Sequence, residues 1–227
     1  MSRNHRTAPF ATVFDALAAF RHGRMVIIVD DEDRENEGDL CLPAISVSAE
    51  AIAFFARHGR GLVCVPVRGE QLDRLQVPLA RRAVDPAAVG IDAPNFALSV
   101  DAARGIGSGI SAPDRAETIR VLTDPTAGPA DLCCPGHVFP LRYTEGGVLR
   151  RRGQTEASVD LSVLAGLPPA AVICEVVNDD GSIARLPDLA QLSATFDIPI
   201  ITVEQIVDYR LSGVWPLEAA APALTVA

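Results

Sequence analysis

Seven carboxylates and a single arginine crowd into Asp30-Asp31-Glu32-Asp33-Arg34-Glu35-Asn36-Glu37-Gly38-Asp39. The segment carries -6 of the chain's net charge of -9. Such crowding costs electrostatic energy unless a cation relieves it. A hard divalent ion such as Mg²⁺ suits oxygen donors and keeps several waters. A solvated acidic loop is the plainer alternative, and an EF-hand is excluded because the sixth-position Gly and twelfth-position Glu are missing. His137, in Pro135-Gly136-His137-Val138-Phe139-Pro140, is flanked by residues that fix the backbone. That context suits a side chain aimed for proton transfer near neutral pH, although a lone His is often structural. Arg150-Arg151-Arg152 lead through Gly153-Gln154-Thr155 into a helix, and arginines beside a helix N-terminus form an anion site unless they are simply solvated. The loop Gly105–Gly109, with Ser108 and Ser111, offers donors at another helix start, but it is neither a P-loop nor a Rossmann fingerprint. Glu175 follows Cys174 in an apolar run, where desolvation would raise its pKa. Together these groups suit metal-assisted enolisation of a small phosphorylated polyol or sugar.

The elements that must position them read as alternating helices and strands. Apolar residues from Thr12 predict a helix closed by Gly23, and Met25–Val29 a buried strand that delivers the acidic run to a strand end. Ser48 is expected to cap a helix to about Arg57, stopped at Gly59, with a strand over Leu62–Val65. Residues 76–95 read as a long loop and Phe96–Asp101 as a strand. Ser111, Pro113 and Asp114 resemble a capping box opening a helix to Leu122. Val138–Leu141 and Val148–Leu149 are expected as short strands around the Glu145-Gly146-Gly147 turn. A helix over Thr155–Leu164, a strand over Ala171–Val177, a turn at 178–181, and a helix, strand and helix over 187–210 complete the pattern. The fold class expected is α/β (mixed α+β), one domain over 10–213 with a mixed sheet flanked by helices. Residues 1–9 are expected to be disordered and 214–227 a mobile tail.

The chain has 227 residues, 48% hydrophobic and 22% charged, enough to bury about 70% of its unfolded surface without a staple. Its negative balance and 5% aromatic content argue against a nucleic-acid binder. Apolar runs of about five residues fall short of a membrane span. Neither a signal peptide nor a C-x-x-C pair is visible, and three of the five cysteines lie in apolar runs, so a cytoplasmic chain is expected.

Four segments then carry a resemblance: V-D-D-E-D-R-E-N-E-G-D-L at 29–40, P-G-H-V-F-P-L-R at 135–142, G-G-V-L-R-R-R-G-Q-T-E-A-S-V-D-L at 146–161 and C-E-V-V-N-D-D-G at 174–181. Over roughly 10–212 the sequence resembles the 3,4-dihydroxy-2-butanone 4-phosphate synthases of riboflavin biosynthesis. The resemblance implies conversion of D-ribulose 5-phosphate to L-3,4-dihydroxy-2-butanone 4-phosphate and formate, Mg²⁺ or Mn²⁺, and a homodimer with its site near the subunit interface. It implies that Arg34 and Glu35 bind substrate and metal, that Asp39 contacts the sugar, and that Arg151 and Thr155 hold the phosphate. His137 and Glu175, with Asp39, would carry the proton transfers, and Ser108 would join the substrate contacts. The GTP cyclohydrolase II domain fused to some members is expected to be absent.

The sequence also departs from the family pattern. The family's second metal-ligand His corresponds to Gln154, an amide that can still offer oxygen to both metal and substrate. An Arg before Pro-Gly-His becomes Cys134, a Thr-Ala-Phe-Thr segment becomes Pro94-Asn95-Phe96-Ala97, and a glycine becomes Arg152. Two alternatives stay open at this point: a repurposed homologue giving another product from a sugar phosphate, and a non-catalytic sugar-phosphate-binding protein.

Overall fold

The structure, a computed structural model, describes residues 10–80 and 93–213. The disordered N-terminus and mobile tail expected at 1–9 and 214–227 lie outside the described residues, as does the 81–92 part of the expected loop. Along the chain come α1 (Val13–Arg21), β1 (Val26–Val29), β2 (Gly38–Pro43), α2 (Ala49–Phe54, continued by a π-helical turn Phe55–Gly59), β3 (Cys64–Val67) and α3 (Gly69–Arg74). They are followed by β4 (Val100–Ala102), α4 (Ala112–Thr123), β5 (Leu132–Arg142), α5 (Gln154–Leu164), β6 (Ala171–Glu175), α6 (Leu186–Phe196), β7 (Ile200–Thr202) and α7 (Val203–Leu211).

The strands form one mixed sheet in the order β4-β5-β3-β6-β2-β1-β7. The β1–β7 and β3–β5 pairs are parallel and the rest antiparallel. Strand side chains alternate between faces. Ile27, Leu40, Val65 and Val172 therefore pack beneath α2, α4 and α6, while Val26, Cys41, Cys64 and Ile173 pack beneath α1, α5 and α7. Both faces are covered, which is why β1, β2 and β3 are buried along their whole length. Cys41, Cys64 and Cys174 are buried, as their apolar surroundings predicted, whereas Cys133 and Cys134 are exposed.

Local chemistry explains the helix starts. Thr12 caps α1 by accepting from Asp15 N (3.2 Å), and Gly23 ends it at φ +67°. Ser111 Oγ accepts from Asp114 N (3.2 Å), the expected first half of a capping box. The Asp114 carboxylate accepts instead from Gly109 N (3.0 Å), so it pins the glycine loop to α4.

Several elements differ from the sequence reading. Val148–Leu149 is not a strand but part of a 3₁₀ turn, Gly147–Leu149. The Val148 N–H that a ladder would need donates to the buried Asp160 carboxylate (2.9 Å). Strand β5 begins at Leu132, six residues earlier than expected, and runs through both Pro135, after a cis Cys134–Pro135 bond, and Pro140. Proline has no N–H to donate, but the Pro140 carbonyl still accepts from Ala97 N (2.9 Å). Strand β2 and the short helix α3 were not foreseen, and β2 starts inside the acidic run.

Candidate active site

Antiparallel register sets Asp39 of β2 opposite Glu175 of β6, with Ile28 of β1 on its other side. Side chains two apart share a face, so Asp39 and Glu175 lie on the face of Cys41 and Ile173, beneath α5. Glu175 is half-buried, and its Oε2 accepts from Leu62 N (2.8 Å). A Cβ at residue 61 would lie 2.5 Å from that oxygen, which is why the close approach needs Gly61. Asp39 is the more deeply buried of the two, because β2 is buried throughout whereas β6 ends at the half-buried Glu175. Burial, then the nearby Glu175, Glu37, Glu35 and Asp30 charges, hold the Asp39 carboxyl well above the usual range. Burial and the same crowding push Glu37 up as well.

The acidic run folds around its own first residue. Asp30 is buried and accepts from Arg34 Nη1 (2.6 Å), Glu35 N (3.1 Å) and Glu37 N (2.8 Å). Arg34 Nη1 also meets Glu35 Oε2 (2.7 Å) and, across the chain, Gln154 Oε1 (3.1 Å). One guanidinium thus ties the acidic loop to the start of α5.

At that start Gly153 is the N-cap and no side chain caps the helix. A Cβ on Gly153 would press on Arg151 Nη1 and lie 3.2 Å from Arg34 Nη2, so both guanidiniums approach one point beside open backbone N–H groups. Two guanidiniums and a helix N-terminus make an anion site. Arg151 is buried against Glu156 (2.5 Å), whose other oxygen accepts from Thr144 N (3.1 Å). Thr155 and Gln154 are buried in the same turn, and Arg152 turns outward to Glu204.

His137 is held separately. Asp101 accepts from His137 N with Oδ1 (2.9 Å) and pairs with His137 Nδ1 through Oδ2 (2.8 Å). The glycine loop closes over this pair, for a Cβ on Gly109 would press on Asp101 and lie 2.7 Å from Nδ1. Ser108 is exposed one residue earlier. Extending the β3–β5 register from Cys64–Phe139 sets His137 alongside Leu62, whose N–H donates to Glu175. His137 and Glu175 therefore flank Leu62, about two strand spacings or ~10 Å apart.

The expected residues thus fall into two neighbouring groups: Arg34, Glu35, Asp39, Glu175, Arg151, Gln154 and Thr155 on one side, His137 and Ser108 on the other. Sequence reasoning missed Asp101, Asp30 and Glu156. Asp101 carried no signal beyond ending a predicted strand, Asp30 was one acid among seven, and Glu156 stood in the quoted motif without a role. Among the described residues no three or more His, Cys, Asp or Glu side chains form a metal cage. The donors nevertheless fit a hard ion that keeps waters, because Glu35 is partly exposed and the repulsion felt by Asp39 and Glu37 is what a divalent cation relieves. Among the described residues no helix is long and apolar enough to cross a membrane.

Residues 14–209 match the sequence model of the 3,4-dihydroxy-2-butanone 4-phosphate synthase family. The chain is 50% identical over 204 residues to the monofunctional riboflavin biosynthesis protein RIBA 2, chloroplastic, of Arabidopsis thaliana, covering 90% of this chain and 42% of that protein. It is 50% identical over 196 residues to a 3,4-dihydroxy-2-butanone 4-phosphate synthase of Neisseria meningitidis serogroup A, covering 86% and 53%. It spans about half or less of the length of these curated relatives. Among solved structures, the Candida albicans synthase superposes with a TM-score of 0.79 at 44% identity, covering 88% of this chain and 98% of that one. A synthase in complex with two magnesium ions superposes at 0.83 with 37% identity, covering 89% and 98%.

Proposed function

The chain belongs to the 3,4-dihydroxy-2-butanone 4-phosphate synthase family, and we propose that it converts D-ribulose 5-phosphate to L-3,4-dihydroxy-2-butanone 4-phosphate and formate. The observation that carries this reading is the Arg34–Gln154 contact, which sets a two-arginine anion site against the Asp39–Glu175 carboxylate pair. The phosphate binds Arg151, Arg34 and the first N–H groups of α5, with Thr155 in the same turn. The sugar carbons then extend along the row of Asp39, Glu175 and His137.

Mg²⁺ or Mn²⁺, held by Glu35 through its carboxylate, would supply stabilisation to ketose oxygens as they gain negative charge. The proton work belongs to the chain. Asp39, paired in register with Glu175 and raised in pKa by burial and its acidic neighbours, is the carboxyl placed to give a proton to an oxygen that must leave or be neutralised. Glu175, anchored by Leu62 N, is the adjacent carboxylate placed to accept a proton from carbon. His137, oriented by Asp101 through Nδ1, exchanges protons at Nε2 on the far side of the sugar. Proton removal opens an enediol, loss of the C1 hydroxyl and a skeletal shift follow, and addition of water releases C4 as formate. The net change conserves every atom of the substrate.

We extend the proposal to a homodimer closing over this site, supported by apolar Leu62 and Ile110 left exposed beside Glu175 and the glycine loop. The test is NMR of the purified protein with ¹³C-labelled ribulose 5-phosphate and Mg²⁺. Labelled formate and the four-carbon phosphate are expected in equal amounts; a different labelled product, or unchanged substrate, overturns the assignment.

A further inference from the structure

We infer that Gln154 is a positioning residue for Arg34, and a hydrogen-bond donor to the bound sugar phosphate, rather than a ligand of the divalent ion. The inference deepens the proposed synthase reading and rests on it.

Gln154 is buried, and its Oε1 lies 3.1 Å from Arg34 Nη1. A guanidinium only donates hydrogen bonds. The amide orientation is therefore set by chemistry, because a flip would turn two donors on each other. Arg34 takes one lone pair of the oxygen, and its positive charge 3.1 Å away disfavours a cation at the other, so the end of Gln154 left for a ligand is its NH₂. That group makes no hydrogen bond among the described residues and is not sealed from solvent. An amide NH₂ has no lone pair to give a cation, but it suits a phosphate or hydroxyl oxygen arriving at the α5 N-terminus.

The Arg34 side shows why such a brace is needed. Nη1 carries two hydrogens yet faces three oxygens: Asp30 at 2.6 Å, Glu35 at 2.7 Å and Gln154 at 3.1 Å. Asp30 is fixed by two backbone N–H groups of its own loop, whereas the Glu35 carboxylate is partly exposed and free to turn. When Glu35 swings to a cation, Arg34 loses its second-shortest acceptor. Asp30 and Gln154 remain, one on the loop and one on α5, and they keep Nη2 beside Gly153 where the anion binds. A hydrocarbon at residue 154 would release Arg34 from α5 without removing a metal donor.

The test separates metal from anion. Mn²⁺ binding is followed by loss of the free-ion EPR signal, and inorganic phosphate binding by calorimetry, for wild type, Gln154→Met and Glu35→Gln. Glu35→Gln is expected to weaken Mn²⁺ about tenfold or more, and Gln154→Met to leave it within about twofold. Gln154→Met is expected to weaken phosphate by about three- to tenfold, less than the full loss of a charge-assisted bond. Gln154→Leu serves the same purpose if the Met variant does not fold. A tenfold loss of Mn²⁺ affinity in the residue-154 variants makes Gln154 a ligand and overturns the inference, as does unchanged phosphate affinity. If wild type releases no formate while these shifts hold, the synthase reading falls and the positioning role stands.

Discussion

Replacing Asp101 by Asn tests whether His137 is an aimed proton carrier. The carboxylate makes two bonds to one residue, 2.9 Å to the backbone N–H and 2.8 Å to Nδ1. In Asp101→Asn the amide oxygen can still accept from His137 N, so the local backbone should survive. The amide NH₂ must then face Nδ1, and two donors cannot share that contact. The ring answers by moving its proton to Nε2, the nitrogen that the proposed proton transfer needs as a base. Positioned acid–base catalysis contributes about 10²–10⁴-fold, so kcat should fall by at least about 10²-fold. KM should change little, since neither Arg34 nor Arg151 touches Asp101. Steady-state formate release gives kcat and KM, and ¹⁵N shifts of the His137 ring report the tautomer directly. Folding costs should be modest, because the amide has the shape of the carboxylate and keeps the bond from His137 N. A kcat within about threefold of wild type, with the tautomer moved as expected, would refute a proton-transfer role for His137.

Two further outcomes follow from the same geometry. Asp39 binds its proton more tightly folded than unfolded, so its contribution to stability is present below the unfolded pKa and lost as pH rises toward the folded value. Without divalent metal, the thermal midpoint of wild type should therefore fall between pH 5 and pH 8. In Asp39→Asn that fall should shrink, leaving the variant the more stable of the two at pH 8; a steeper fall would contradict the crowded-carboxylate account. In Gly136→Ala the new Cβ would run into the backbone of Val100 and Asp101. Forced overpacking costs about 1–3 kcal/mol, or roughly 2–12 °C in a chain of this size. Calorimetric melting tests it, and an unchanged midpoint would mean that β4 yields easily.

What the sequence revealed was local. The acidic run, the arginines before a helix and the Pro-Gly-His segment each lie within a few residues, so their chemistry could be read by spacing alone. The missing parts depend on pairing across the sheet. Asp101 reaches His137 from 36 residues away, through a β4–β5 ladder whose register shifts between Val100 and Asp101. No periodicity announces such a shift. The deep burial of Asp39 went unread for a similar reason. Strand β2 begins with Gly38-Asp39 at the end of a charged segment, and charge patterning alone reads those residues as loop. Once β2 is sandwiched between β1 and β6, Asp39 is left 5% exposed, whereas Glu175 ends its strand half-buried. Val148 shows the converse: a β-branched residue after a turn reads as a strand, but a buried carboxylate 12 residues on captures its N–H first.

The two halves of the site are held by different forces, and this decides how each tolerates change. Around α5 the restraint is ionic: Arg34 on Asp30, and Arg151 on Glu156, in places where water is largely excluded. Removing one partner of such a pair costs several kcal/mol, yet the side chains remain long and can follow a moving phosphate. Around His137 the restraint is steric and backbone-based. Gly136 lets β5 touch β4, Gly109 lets the loop close on Asp101, and the Asp101 carboxylate grips the main chain as well as the ring. A proton-transfer group must keep its place to within a fraction of an ångström, and an anion site needs charge more than fixed position. Gln154 falls in the ionic half. There a side chain can vary as long as it still holds a guanidinium, whereas the same degree of change at Gly109 or Gly136 would reach His137 through the backbone.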